Sequence, residues 1–130
     1  MISYDFFLSI DPYTLVDDIK LQTPNIKTDD QLIINGCRLR KNGQTDGPFY
    51  PVYIKDGWQI INTTLVTDSQ SSNVVQMNPL VIENALITNV GNYRCGATHE
   101  NGSLVELNSR PIHVALRGNV KVISCNVEFS

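Results

Sequence analysis

Histidine, tryptophan and cysteine are scarce in this chain: two, one and three among 130 residues. The two histidines, His99 and His113, stand outside any H-E-x-x-H pattern. No C-x-x-C, no G-x-S-x-G and no phosphate-cradling glycine loop occurs either. No enzyme activity is therefore expected, and no cofactor or metal. Asp17-Asp18 and Asp29-Asp30 are adjacent carboxylates that read as turn chemistry, and a calcium site would need further oxygen ligands at defined spacing. Charged residues make up only 18% of the chain, against roughly 25% in an ordinary domain. The net charge of −3 supplies no basic face, which excludes nucleic acid as the expected partner. No apolar run exceeds four residues, whereas crossing a bilayer takes about 20. Direct membrane insertion by this stretch is thus not expected. The opening Met1-Ile2-Ser3-Tyr4-Asp5-Phe6 has neither a basic n-region nor an apolar stretch, so it does not read as a signal peptide. Two readings follow: an intracellular protein, or a fragment separated from its leader.

Helical periodicity is also missing. No window of 11 or more residues places apolar side chains at i, i+3, i+4 and i+7. What the sequence does contain is 42% apolar residues, enough for a core in one domain. They are dealt out in short runs bounded by turn residues. Phe6–Ile10 ends at Asp11-Pro12, and Gln31–Ile34 at Asn35-Gly36. Val52–Ile54 and Trp58–Ile61 flank Lys55-Asp56-Gly57. Leu80–Ile82, Tyr93–Thr98, Ile112–Leu116 and Val120–Ile123 follow. These runs are rich in β-branched and aromatic side chains, which suit a pleated surface. Many short strands at this spacing predict an all-β antiparallel sandwich or barrel. Asp56-Gly57 and Asn101-Gly102 are hairpin turns, because their residues tolerate positive φ. Asn42–Pro48 and Asp68–Asn73 read as loops.

One segment narrows the architecture. Asn89-Val90-Gly91-Asn92-Tyr93-Arg94-Cys95 resembles the D-x-G-x-Y-x-C motif of immunoglobulin domains, and Leu80-x-Ile82-x-x-Ala85 upstream matches that family's strand E. The resemblance implies a two-sheet antiparallel Greek-key sandwich, V-like or I-like, over residues 1–117. Residues 118–130 would then be a C-terminal extension, an extra strand or the start of a following domain. It further implies a tyrosine corner of Asn89, Gly91 and Tyr93. Cys95 would bridge to Cys37, which lies 58 positions earlier and ends a strand-B-like run. Two buried free thiols, or a rearranged bridge to Cys125, stay open. Cys125 is otherwise unpaired, or pairs beyond this segment or with another chain. The sequence departs from the family at Asn89, where aspartate is usual, and in lacking the strand C tryptophan. Aligning Tyr53-Ile54-Lys55-Asp56-Gly57 with the family's W-Y-K-D-G puts Tyr53 in that slot, while alternation through Tyr50, Val52 and Ile54 points an aliphatic residue inward. Pro111 lies inside the expected strand G, which suits an edge or a bulge.

Asn62-Thr63-Thr64 and Asn101-Gly102-Ser103 are N-glycosylation sequons, and Asn35-Gly36-Cys37 is the rarer N-x-C form. With paired cysteines, they point to an extracellular or cell-surface protein. The resemblance implies a recognition domain that binds protein: the same or a related ectodomain, a receptor or a ligand, with weak self-association as one outcome. Interface hot spots favour Tyr, Trp and Arg, so Tyr50, Trp58, Arg38 and Arg40 are the candidate contacts. For Trp58, packing over the sheet edge is the competing expectation. An intracellular structural module and a secreted decoy or cytokine-binding protein are the alternative functions.

Overall fold

The computed structural model describes residues 11–43, 48–67 and 73–118. The expected strands at Phe6–Ile10 and Val120–Ile123, most of the Asp68–Asn73 loop, nearly all of the C-terminal extension and Cys125 lie outside the described residues. Among the described residues there are twelve strands: β1 (Tyr13–Asp17), β2 (Lys20–Leu21), β3 (Leu32–Asn35), β4 (Arg38–Lys41), β5 (Phe49–Lys55), β6 (Gln59–Asn62), β7 (Leu65–Thr67), β8 (Val74–Met77), β9 (Leu80–Ile82), β10 (Gly91–His99), β11 (Leu104–Glu106) and β12 (Ile112–Val114). Every pairing between them is antiparallel. The other regular element among the described residues is a one-turn 3-10 helix, Ile87–Asn89. The all-β class read from the short apolar runs is what the chain adopts.

One layer is a sheet in the order β11-β10-β5-β6, with β12 also paired to β10. The facing strands form two smaller sheets, β1-β4-β8-β7 and β2-β3-β9. These are two halves of one layer. β4 meets β8 and β3 meets β9 in the same register, with Arg38 opposite Gln76 and Ile34 opposite Leu80. Between the halves, the Met77 N–H still donates to the Cys37 carbonyl at 3.0 Å. The Gln76 side-chain amide fills the gap by donating to the carbonyls of Gly36, Cys37 and Met77 at 3.0–3.3 Å. Such donation matters because an unpaired buried carbonyl is costly. β3 ends at Asn35-Gly36, as the sequence suggested, but the chain resumes in the same layer as β4. Glycine is required here, since a Cβ on Gly36 would lie 2.5 Å from Tyr53 Oη and 2.6 Å from Met77 Cβ.

The core lies between the layers. Leu32, Ile34 and Leu39 from one side meet Tyr53, Tyr93, Cys95 and Ala97 from the other. Alternation along β10 sends Tyr93, Cys95 and Ala97 inward. Tyr53 is fully buried in this cluster directly opposite Cys95. The inward aliphatic expected from alternation is corrected: Val52 and Ile54 are buried too, but outside the core cluster. Ile54 instead lies over Gly96 on the outer face, where a Cβ on Gly96 would sit 2.3 Å from Ile54 Cδ1.

The expected single strand G is two strands. Gly96 pairs with Glu106 and Tyr93 with Ile112, so Leu107–Pro111 stand opposite only Arg94 and Cys95. This bulge tucks Leu107 and Ser109 into the interior. Asn108 takes a left-handed φ of 62° between them, and Pro111 has no N–H to lose from the ladder. Ser109 Oγ accepts the Cys95 N–H at 2.9 Å and donates to Asp18 Oδ1 at 2.7 Å. The Arg110 N–H adds a bond to Asp18 Oδ2 at 2.9 Å.

Candidate functional site

Cys37 and Cys95 are bonded, with Cα atoms 6.4 Å apart, and join the layers through the core. Four residues before Tyr93, the Asn89 carbonyl accepts the Tyr93 hydroxyl at 2.6 Å. The Asn89 side chain accepts the Leu86 N–H at 2.8 Å and so closes the turn before β10. Burial pushes the Tyr93 hydroxyl up to about 12, with the Asp56 charge adding to the shift. The three residues of the expected tyrosine corner thus lie together at the entry to β10.

The turn between β5 and β6 is locked to this corner. Asp56 and Gly57 take φ of 55° and 82°, and the Trp58 N–H returns to the Lys55 carbonyl at 3.2 Å. The Asp56 N–H donates to the Asn92 carbonyl at 2.7 Å, and Asp56 Oδ1 accepts the Asn92 N–H at 3.0 Å. Gly91, at φ 155°, is needed beneath this clamp because a Cβ would lie 2.6 Å from Asp56 Oδ1. The Asn92 N–H, and then the Lys55 ammonium at 3.0 Å, hold the Asp56 carboxyl below its ordinary value of 3.8. A carboxyl lowered in the folded state stabilises the fold above its ordinary pKa. That contribution is lost as pH falls through the folded value. Asp56→Asn is therefore expected to flatten the acid limb of stability between pH 6 and 2, read as urea midpoints. An acid limb unchanged by the substitution would contradict the role given to the clamp.

The four candidate contact residues do not converge. Tyr50 lies on β5 and is 52% exposed; Trp58 lies in the β5–β6 turn and is 73% exposed. Trp58 therefore does not pack over the sheet edge. Arg38 and Arg40 flank inward-facing Leu39 on β4, so they face outward from the opposite layer. Arg38 there pairs with Asp17 at 3.6 Å. The arginines and the aromatics thus occupy opposite sides of the molecule. The outer face of the β11-β10-β5-β6 sheet gathers Tyr50, Ile60 and Leu104 around the buried Val52 and Ile54. Trp58 stands at one end of this face, in the same end region as exposed Leu86 and Ile87 of the turn before β10. In the sequence Ile87 is one member of the apolar triplet Ala85-Leu86-Ile87, with nothing to mark it as exposed. Sequence also gave no warning of Ser109, and Asp18 read only as a turn residue.

A shallow open depression lies beside the strand break, lined by Asp17, Asp18, Lys20, Asn35, Gln76 and Met77 among others. Its central polar groups are already used within the fold: Asp18 by Ser109, Arg110 and Ile19, and Gln76 by three carbonyls. Among the described residues no three His, Cys, Asp or Glu side chains are grouped to hold a metal ion. No described helix is long and apolar enough to cross a membrane. Comparison with protein families, with curated proteins and with solved structures gives no match for this chain.

Proposed function

We propose that this chain is an immunoglobulin-like Greek-key sandwich, V-like or I-like, acting as a non-enzymatic extracellular protein-recognition domain. The observation that carries the reading is one constellation: the Cys37–Cys95 bridge, Tyr53 opposite Cys95, and the Tyr93 hydroxyl on the Asn89 carbonyl. This is the arrangement of staple, core aromatic and tyrosine corner that marks such domains. Strand neighbours agree with it. The split layer supplies strands A, B, E and D, and the continuous sheet supplies G, F, C and C′. A disulfide suits an oxidising compartment, and this favours the extracellular setting over an intracellular spacer.

Recognition through the β5–β6 turn that bears exposed Trp58 fits the chemistry of hot spots, where aromatic anchors dominate. The partner of first choice is a second copy or a related ectodomain, in cell adhesion or self/non-self recognition. Bead aggregation with the displayed domain and analytical ultracentrifugation test this. Weak self-association is expected, and Trp58→Ala should weaken it about tenfold, or ~1.4 kcal/mol. Arg40→Ala, on the opposite layer, should leave it unchanged. A strict monomer at high concentration, with no bead clustering, removes the homophilic form of the proposal.

A further inference from the structure

The three sequons occupy very different places in the fold. Asn35 is half-buried on β3 opposite Lys20, beside the depression at the strand break, and the third residue of its sequon is the bridged Cys37. A sulfur held in a disulfide has no hydrogen to offer the asparagine amide. Asn62 ends β6, an edge strand, and is exposed. Ile61 packs against the core, so alternation turns Asn62 to the outer face, level with Val52. Its side chain makes no hydrogen bond among the described residues, and Thr64 is exposed beside it. Asn101 is exposed at the tip of the β10–β11 hairpin, just before Gly102 at φ 93°. Asn101 Oδ1 accepts the Ser103 N–H at 2.9 Å and the Ser103 hydroxyl at 2.7 Å. That turn leaves Nδ2 directed away from both contacts, and Nδ2 has no partner among the described residues.

We propose that Asn62 and Asn101 are N-glycosylation sites in this protein and that Asn35 is not. The proposal rests on the extracellular reading above. In the reaction, asparagine Nδ2 forms a bond to the anomeric carbon of a lipid-pyrophosphate-linked oligosaccharide. The carbon–oxygen bond to the pyrophosphate breaks, the lipid pyrophosphate leaves with the electron pair, and Nδ2 gives up one proton. The co-reactant is thus the lipid-linked sugar donor of the secretory pathway. The fold accommodates both products, since neither asparagine must give up a hydrogen bond or a packing contact. Their positions have a consequence for recognition. An edge strand is a template for unwanted pairing; β6 is one among the described residues, and a glycan on Asn62 adds bulk at its end. It also covers the Tyr50 half of the outer face and leaves Trp58, at the opposite end of the β5–β6 hairpin, accessible.

The test is expression of the whole chain behind a cleavable secretion leader in mammalian cells. Gel mobility is read in both lysate and medium, before and after peptide N-glycosidase. Two enzyme-sensitive steps are expected. Asn62→Gln and Thr64→Ala should each remove one, and Asn101→Gln and Ser103→Ala the other. Peptide mapping should find asparagine converted to aspartate at 62 and 101, and not at 35. Loss of either step from the parent chain, or conversion at Asn35, overturns the assignment. Reading the lysate keeps the result valid for a variant that is retained. A sugar-free secreted chain with its Cys37–Cys95 bridge intact sinks this proposal and leaves the recognition reading standing. A glycosylated chain whose cysteines stay reduced does the reverse.

Discussion

Replacing Cys37 and Cys95 together by alanine is expected to lower the unfolding free energy by roughly 4 kcal/mol. The bridge closes a loop of 58 residues, and chain-entropy reasoning gives that magnitude for a loop of such length. Both cysteines are fully buried, so truncation also leaves space between the layers that only partial relaxation can fill. A domain of this size is stable by some 5–15 kcal/mol in total. The loss therefore decides whether the chain stays folded at 37 °C. Urea unfolding of the oxidised chain and the double variant at 25 °C measures it. A difference below about 1 kcal/mol would mean that the layers are held together without the bridge. The packed core would then be the main support, with Ser109 adding the hydrogen bond it takes from the Cys95 N–H.

Tyr53→Ala should cost about 3–5 kcal/mol, the range for deleting a buried aromatic side chain. The ring lies in the core cluster opposite Cys95, and its hydroxyl donates to the Asn78 carbonyl at 2.6 Å. That bond spans the gap between β8 and β9, so the side chain supports the split layer as well as the core. Tyr53→Phe keeps the ring and drops the bond, for about 1 kcal/mol. The two variants separate packing from hydrogen bonding. A pH series adds a third readout. Burial raises Tyr53 from 10.0 to about 12, and Tyr93 moves to the same value. A raised folded pKa gives stability that is complete below pH 10. It is lost as pH climbs to 12, because the unfolded chain releases its protons first. Stability should fall over that window, and Tyr53→Phe should remove part of the fall. An alkaline limb identical in wild type and variant would contradict the burial of this hydroxyl.

Much of the fold was legible because local chemistry and tertiary structure agreed. Asp56-Gly57 and Asn101-Gly102 make the expected turns, and Tyr93 bonds four residues back as the motif implied. Other features were hidden for identifiable reasons. Alternation could not place Tyr53, because Val52, Tyr53 and Ile54 are all buried and so both faces of β5 are covered. β4 reads Arg-Leu-Arg-Lys, and a single inward residue, Leu39, gives too little pattern to see. The strand break needs Gly36 at close range to Tyr53 and Met77, a distance that no single segment encodes. Arg38 and Arg40 are candidate contacts by residue type, and type carries no information on which layer a side chain faces. Ser109 is one serine among polar neighbours until the bulge carries it to Asp18 and Cys95.

That bulge also bears on how quickly the molecule comes apart. Asp18 and Ser109 are 91 residues apart in the chain. With the Cys37–Cys95 bridge intact the path between them is far shorter, 19 residues to Cys37 and 14 from Cys95, whereas in the reduced chain the full loop must close, and a contact of such long range is expected to close late. Interactions absent from the folding transition state act on the unfolding rate rather than the folding rate. In the reduced chain the seam between the first strands and the last is thus expected to act as a brake on opening. There, Ser109→Ala should speed unfolding more than it slows folding.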